Sequence, residues 1–321
     1  MTHSNHSAVP AVDTPSTPSK LPSIDWFSGL LIFLTPAFWS VNYLVARTAP
    51  EHIAPHMLAF TRWGLAALLL AAFAWPELKA KRHLIWQERW HCLALGALGM
   101  WICGAWVYMG ARTTSAANIA LIYALSPVFI ALTAAAFLKE RLQARQWLGV
   151  VMALAGLVHV VIQGQWQTIA QTQFVAGDGW ILGCAIAWAV YSILLKRWPS
   201  PFSPLARLVL IGIGGSVLTL PLALLEAASG LPYSQTTWSA TTAIIIVGAA
   251  LFPSSGAYLA YSTLQKRIGA ARTALVLYLG PLYAALVAWF ALGEPLHSYH
   301  AIGAAIILPG IFLASQSKVS N

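Results

Sequence analysis

The residues able to do chemistry in this chain are few, and the first of them is Arg62. It stands about two turns into the apolar run PHMLAFTRWGLAALLL (55–70), where a charge is costly. A buried guanidinium can attract the carboxylate or phosphate of a small solute. Its competing role is to tie its helix to a neighbouring carbonyl or to reach outward to water. Trp39, Asn42 and Tyr43 form a second cluster, echoed later by Trp188 and Tyr191. Residues three apart share a helical face, so Trp39 pairs with Asn42 and Trp188 with Tyr191. Two such faces meeting would make an aromatic wall with a few polar handles, the usual make-up of a ligand site. Trp101, Tyr108, Asn118, Tyr123, Tyr258 and Tyr278 are further mid-span candidates. For any one aromatic, helix packing or an interfacial belt competes. As a set they point to a substrate-binding cavity, because Asn42 and Asn118 need partners in a dry interior.

Acids are placed differently. Asp13, Asp25, Glu51, Glu77, Glu88, Glu140, Asp178, Glu226 and Glu294 all fall in the tail, in connections or at span ends. A membrane-buried carboxylate of the kind many proton-driven carriers use is not evident. A helix-end acid or His159 is left as a proton carrier, although His159 reads first as a packed histidine. Arg207, near the start of the seventh apolar run, reads as a topology or lipid contact. The chain has no HExxH, no nucleophile–base pair, no buried acid pair and no nucleotide loop, which argues against an enzyme and an ATP-driven pump. Cys92, Cys103 and Cys184 show neither metal spacing nor a disulfide framework. No metal and no cofactor is expected.

The elements that must position these residues are membrane helices. The chain has 321 residues, 59% hydrophobic and 8% charged, against about 25% charged in a soluble domain. Ten apolar runs near bilayer length follow a polar tail: 26–46, 56–75, 92–111, 115–137, 147–163, 179–195, 204–225, 241–263, 271–292 and 299–316. Pro36, Pro127, Pro221, Pro253, Pro281 and Pro309 fall inside them, as packing kinks or where a cavity satisfies the freed carbonyl. With the amino terminus inside, 15 of the 18 Lys and Arg lie in inside segments. Positive loops stay in the cytoplasm, so both termini are expected there. The net excess of nine positive charges is therefore read as topology, with no nucleic-acid partner.

Thr114–Gly156 recurs 154 positions later, without a gap, as Ile268–Gly310. Pro127 falls on Pro281, Glu140 on Glu294, Gly149 on Gly303 and Gly156 on Gly310. Each unit is an apolar run with a central Pro, a turn with one Glu, and a second apolar run. The two Glu are expected to cap the following helix, with a gate contact as the alternative. Five spans per half is odd, so the second half must enter the membrane inverted. Lys139, Arg141 and Arg145 of the first copy become Gly293, Pro295 and Tyr299 in the second, as an inversion requires. The expected fold is an all-α integral membrane protein, with ten transmembrane helices as two inverted five-helix repeats around a central cavity. Its parts are a disordered cytoplasmic tail (1–24), the first repeat (25–164), an extracytoplasmic linker (165–178), the second repeat (179–316) and a cytoplasmic end (317–321).

FWSVNYLVAR (38–47), the Arg of 55–70, TSAANIALIYALSPVF (114–129), LKERLQARQWLG (138–149) and YLGPLYAALVAWFALGEPL (278–296) together resemble the EamA-type family of the drug/metabolite transporter superfamily. The first copy departs from the family's frequent GE by reading KER; the second keeps it as Gly293–Glu294. The resemblance implies a small metabolite as substrate, often an amino acid or related compound, and commonly outward movement. The leading expectation is a secondary transporter of the inner membrane working by alternating access, in contact with lipid, as a monomer or weak homodimer. A passive channel and an intramembrane enzyme are the alternatives.

Overall fold

A computed structural model describes residues 25–114, 116–138, 142–171, 173–231, 234–292 and 295–315. Among the described residues every regular element is a helix, and nine are long and apolar enough to cross a membrane: α1 (Trp26–Glu51), α2 (Pro55–Ala80), α3 (Arg82–Gly110), α4 (Asn118–Phe137), α5 (Ala144–Val161), α6 (Ala176–Arg197), α7 (Pro204–Ala228), α8 (Ala240–Ile268) and α9 (Ala270–Val287). A shorter apolar helix, α10 (Ser298–Ala314), is the last described. Glu140 and Glu294 lie outside the described residues.

Helix starts follow local chemistry. The first amides of a helix lack intrahelical acceptors, and a side-chain oxygen just before them supplies one. Asp25 accepts from the Ser28 amide at 3.1 Å, Ser203 from Ala206 at 3.2 Å and Ser239 from Thr242 at 3.2 Å. Asp25 also pairs with Arg267 of α8. The Ser28 hydroxyl and amide, and then Arg267, hold the Asp25 carboxyl below the ordinary carboxylate range. Pro55 and Pro204 occupy first-turn positions, where proline's missing N–H costs nothing.

The charged stretch 76–91 reads as a connection, yet only Lys81 interrupts helix there. Glu, Lys, Arg and Gln are good helix formers, so the spans run on past their apolar portions. Glu77 joins this end to α7: it takes Lys81 at 2.8 Å and accepts from the Ser203 amide at 2.9 Å.

Four of the spans are irregular. A turn at 124–125 breaks α4 just before Pro127, and α9 tightens to a 3-10 helix over Leu275–Leu279, just before Pro281. Proline cannot donate to the carbonyl four residues back; in α9 the Leu277 carbonyl takes the Gly280 amide instead. In α3 the stretch Ala97–Trp106 is π-helix, and in α8 Ala250–Gly256 is. Such widened turns tend to mark functional positions.

Packing couples α2 to α7 and α8, α3 to α6 and α7, α1 to α8 and α9, α4 to α6 and α9, and α5 to α10. The α5–α10 contact is backbone against backbone. A Cβ on Gly149 would stand 2.4 Å from the Gly310 carbonyl oxygen, and one on Gly156 3.0 Å from that of Gly303. Trp63, Met100, Leu95, Tyr191 and Tyr261 fill the core, while Leu68, Phe73, Ile244 and Phe290 stay exposed. An apolar outer face is what lipid-facing helices present. The three cysteines are unpaired. The Cys103 thiol donates to the Cys184 carbonyl at 3.4 Å and the Cys184 thiol to that of Ile102 at 3.5 Å, so they join α3 to α6.

Candidate functional site

The irregular helices converge on a cavity of about 440 Å³, with walls from α1, α2, α3, α4, α5, α6, α8 and α9. Pro36 and Pro253, and Gly280 with Pro281, line it directly. Each irregular stretch contributes a lining residue: Cys103, Ala124, Pro253 and Val276.

Arg62 enters this cavity from α2 and is 4% exposed. Its Nη1 donates to Asn42 Oδ1 at 3.4 Å and to the Tyr108 hydroxyl at 3.5 Å. Both are long for N–H···O bonds, which centre near 2.9–3.0 Å. The Tyr108 hydroxyl itself donates to Asn42 Oδ1 at 2.8 Å. The guanidinium also lies 5.6 Å from the Trp63 ring centre and 5.9 Å from that of Tyr108, and its Nε–H has no hydrogen-bond partner. Among the described residues no carboxylate forms an ion pair with it. Gly104 lies against this pair: a Cβ there would meet Arg62 Nη2 and Trp63 Nε1 at an ordinary contact distance of 3.5 Å. A buried cation held by long contacts keeps most of its five donors for an oxyanion.

Beside it, through Trp63, stands an aromatic wall. Trp39 and Trp188, one from each half, meet edge to face at 5.4 Å. Tyr258 packs edge-on to Trp188 at 5.3 Å and to Trp63 at 4.7 Å, and its hydroxyl donates to the Gly99 carbonyl at 2.8 Å within the α3 π-stretch. Trp188 stacks on Tyr191 at 5.2 Å and 21°. Tyr278 lines the cavity with a buried hydroxyl that has no partner, a second polar handle besides Arg62.

The cavity gathers eight of the sequence candidates: Trp39, Asn42, Arg62, Tyr108, Tyr123, Trp188, Tyr258 and Tyr278. Three lie elsewhere. Trp101, within the π-stretch of α3, packs against Trp106 at 6.2 Å and is not among the lining residues. Tyr191 lies beneath Trp188 and lines a second cavity instead. Asn118 donates to both carboxylate oxygens of Asp178, at 3.2 and 3.0 Å, and to the Gln173 carbonyl at 3.1 Å. Tyr43 lies within α1. Pro127 is buried, and Pro281 lines the cavity.

Two acids are deeper than their positions at span ends imply. Glu88 is 7% and Asp178 5% exposed. Asp178 takes the Thr114 hydroxyl, the Asn118 amide and the Val175 N–H at 2.8 Å. Thr114 lines the cavity, so this carboxylate braces its rim. Asp178→Asn would set an amide N–H₂ against the donors of Asn118 and Thr114. We expect a loss of about 2 kcal/mol in stability, read by thermal unfolding in detergent, since a buried donor without an acceptor costs about 1–3 kcal/mol. Two wall features had weaker sequence signals. Tyr261, 5.0 Å from Trp188, is one turn from Tyr258 on the same face. Cys103 lines the cavity and looks like any small apolar residue. Among the described residues no group of three or more His, Cys, Asp or Glu is placed to hold a metal.

Known proteins share this plan. The EamA-like transporter family model matches the chain twice, over residues 26–162 and 175–316. The uncharacterized transporter YyaM of Bacillus subtilis (strain 168) is 28% identical over 282 residues, covering 87% of this chain and 90% of that protein. A probable terminal-alkyne amino-acid exporter of Streptantibioticus cattleyicolor is 25% identical, covering 90% and 94%. A probable amino-acid metabolite efflux pump of Salmonella typhimurium is 24% identical, covering 89% and 93%. One solved crystal structure superposes with a TM-score of 0.71 at 19% identity, over 90% of this chain and 97% of the other, and speaks for the fold alone. With both halves matched and the apolar helices in place, this chain is a member of the EamA-like transporter family.

Proposed function

We propose that the protein is a secondary transporter that exports a small carboxylate-bearing metabolite, an amino acid or close relative, by alternating access. The observation that carries this reading is Arg62: a buried guanidinium, loosely held and without an acid partner, beside an aromatic wall. A zwitterionic or acidic solute with an apolar side chain fits such a pair of surfaces. Two relatives named for amino-acid export or efflux support the substrate class.

Alternating access needs two halves that exchange roles, and the packing supports such symmetry. Under the 154-residue register the contact of Gly149 with Gly310 maps onto that of Gly303 with Gly156, and both occur. The α3–α6 contact maps onto α8–α1, and α4–α6 onto α9–α1. We read the fold as two inverted five-helix units, with α10 completing the second. Their site lies at the repeat interface, and the Lys- and Arg-rich ends, with both termini, face the cytoplasm across an inner membrane.

The test is uptake into proteoliposomes with labelled amino acids, aromatic and small neutral ones included, with and without a pH gradient. Saturable, stereoselective uptake supports the carrier. Flux that never saturates overturns alternating access in favour of a channel.

A further inference from the structure

A second cavity, of about 280 Å³, lies among α6, α7 and α8 at their Lys- and Arg-rich ends. Its charged lining consists of Lys196, Arg207 and Lys266, with no carboxylate; Leu208, Ile211 and Pro204 supply apolar wall. Trp188 and Tyr191 stand between the two cavities: Trp188 lines the first, Tyr191 the second, and their rings are stacked.

Arg207 is 3% exposed, more deeply set than a topology signal or lipid contact requires. Its Nη1 donates to the Leu195 carbonyl at 2.8 Å and its Nη2 to that of Trp198 at 2.6 Å, at the end of α6. Its Nε–H has no hydrogen-bond partner. Among the described residues no acid forms an ion pair with it. Glu77 is engaged by Lys81 and Ser203. Glu88 influences Arg207 electrostatically but its contact is with His91, at 3.6 Å.

Arg207 also has a counterpart. It lies three residues after Pro204 in the first turn of α7, and Arg62 seven after Pro55 in α2. The offset of four is about one helical turn, so each arginine projects from the same face of the second helix of its half. Arg62 serves one cavity and Arg207 the other, on opposite sides of the aromatic pair.

We infer that the second cavity is a carboxylate-binding vestibule: Arg207 and Lys266 hold the acid group of the transported solute on one side of Trp188–Tyr191, as Arg62 holds it on the other. This inference rests on the transporter reading for the identity of its ligand, not for the existence of the site. The apolar wall favours an organic acid over inorganic phosphate.

Ser200 lines this cavity and is partly exposed, so Ser200→Cys places a thiol there. The full-length variant in phosphatidylcholine nanodiscs is labelled with methanethiosulfonates bearing a sulfonate or a trimethylammonium, above the wild-type background. The sulfonate should react faster, and adding Lys266→Gln should cut the rate ratio about sevenfold, because a charge about 7 Å away in a water-like medium shifts the two reagents' rates about threefold each in opposite senses. Benzoate at about four times its Kd should slow labelling about fivefold. Arg207→Lys should keep the rate ratio but weaken benzoate protection, since it keeps the charge and loses the fork.

Protection by phosphate but not benzoate overturns the inference, as does no protection by either. So does a block that appears only when phosphatidylglycerol is added, which would make this a lipid headgroup site. Labelling reports occupancy without flux. Benzoate protection alongside failed uptake would leave the site standing and remove the transporter reading; uptake without protection would do the reverse.

Discussion

Arg62→Gln is expected to lower the initial rate of uptake of the proposed carboxylate substrate about a hundredfold, with little change in thermal stability. Hydrogen bonds to a charged group contribute about 1.5–3 kcal/mol each, and 2.8 kcal/mol is a hundredfold. Stability should change little because the arginine's own contacts are weak: 3.4 Å to Asn42 and 3.5 Å to Tyr108. Asn42 and Tyr108 keep their mutual 2.8 Å bond without it. Arg62→Lys restores part of the rate, because a point charge attracts the acid but cannot present two parallel N–H groups. The discriminating measurement is uptake of a substrate beside its analogue lacking the carboxylate, for wild type and variant. A loss confined to the acid places the arginine on that group. An equal loss for both, with a lowered unfolding temperature, would give Arg62 a structural role and sink the proposed site.

Gly149→Ala is expected to destabilise the protein more than any other single added methyl group in the α5–α10 contact. Its Cβ would lie 2.4 Å from the Gly310 carbonyl oxygen and 2.5 Å from the Ala314 nitrogen. Both are backbone atoms of α10, so no rotamer change relieves the clash and the helices must separate. Forcing atoms into a packed contact costs about 1–3 kcal/mol, and the upper end applies where only backbone can give way. Close approach through small residues is how membrane helices associate, so the separation also loses packing along the seam. The register counterpart Gly303 supplies an internal comparison. A Cβ there would come within 2.1 Å of Val160 Cγ2, but that is a side-chain end that can turn, and the nearest backbone atom is 3.2 Å away. Gly303→Ala should cost less. Gly248 has nothing within 4 Å, so Gly248→Ala should be neutral or stabilising by up to about 1 kcal/mol. Thermal unfolding of the three variants in one detergent reads the order directly. Equal small gains for all three would mean that helix propensity, and not the α5–α10 contact, sets the response.

Membrane insertion, the approximate spans and the repeat unit were all legible in the residues themselves. Each is a property of neighbours along the chain: apolar length and the spacing of Pro and Gly. Transfer of side chains from water to hydrocarbon adds up locally, so a linear reading can sum it. The identity of most cavity residues was legible for a related reason. A polar or charged group inside an apolar run needs a partner, and Arg62 and Asn42 are such groups.

What the sequence could not decide is which groups satisfy one another. Asn118 read as a ligand contact and is bound to Asp178, 60 residues on. Arg207 read as topology and lines a second cavity. Trp101 and Tyr108 share one span, yet only Tyr108 lines the first cavity. Composition and spacing thus determined that this chain enters a membrane as paired apolar helices with a few costly polar groups. The tertiary structure decided where those groups meet. Pairing energies depend on distances across helices far apart in sequence.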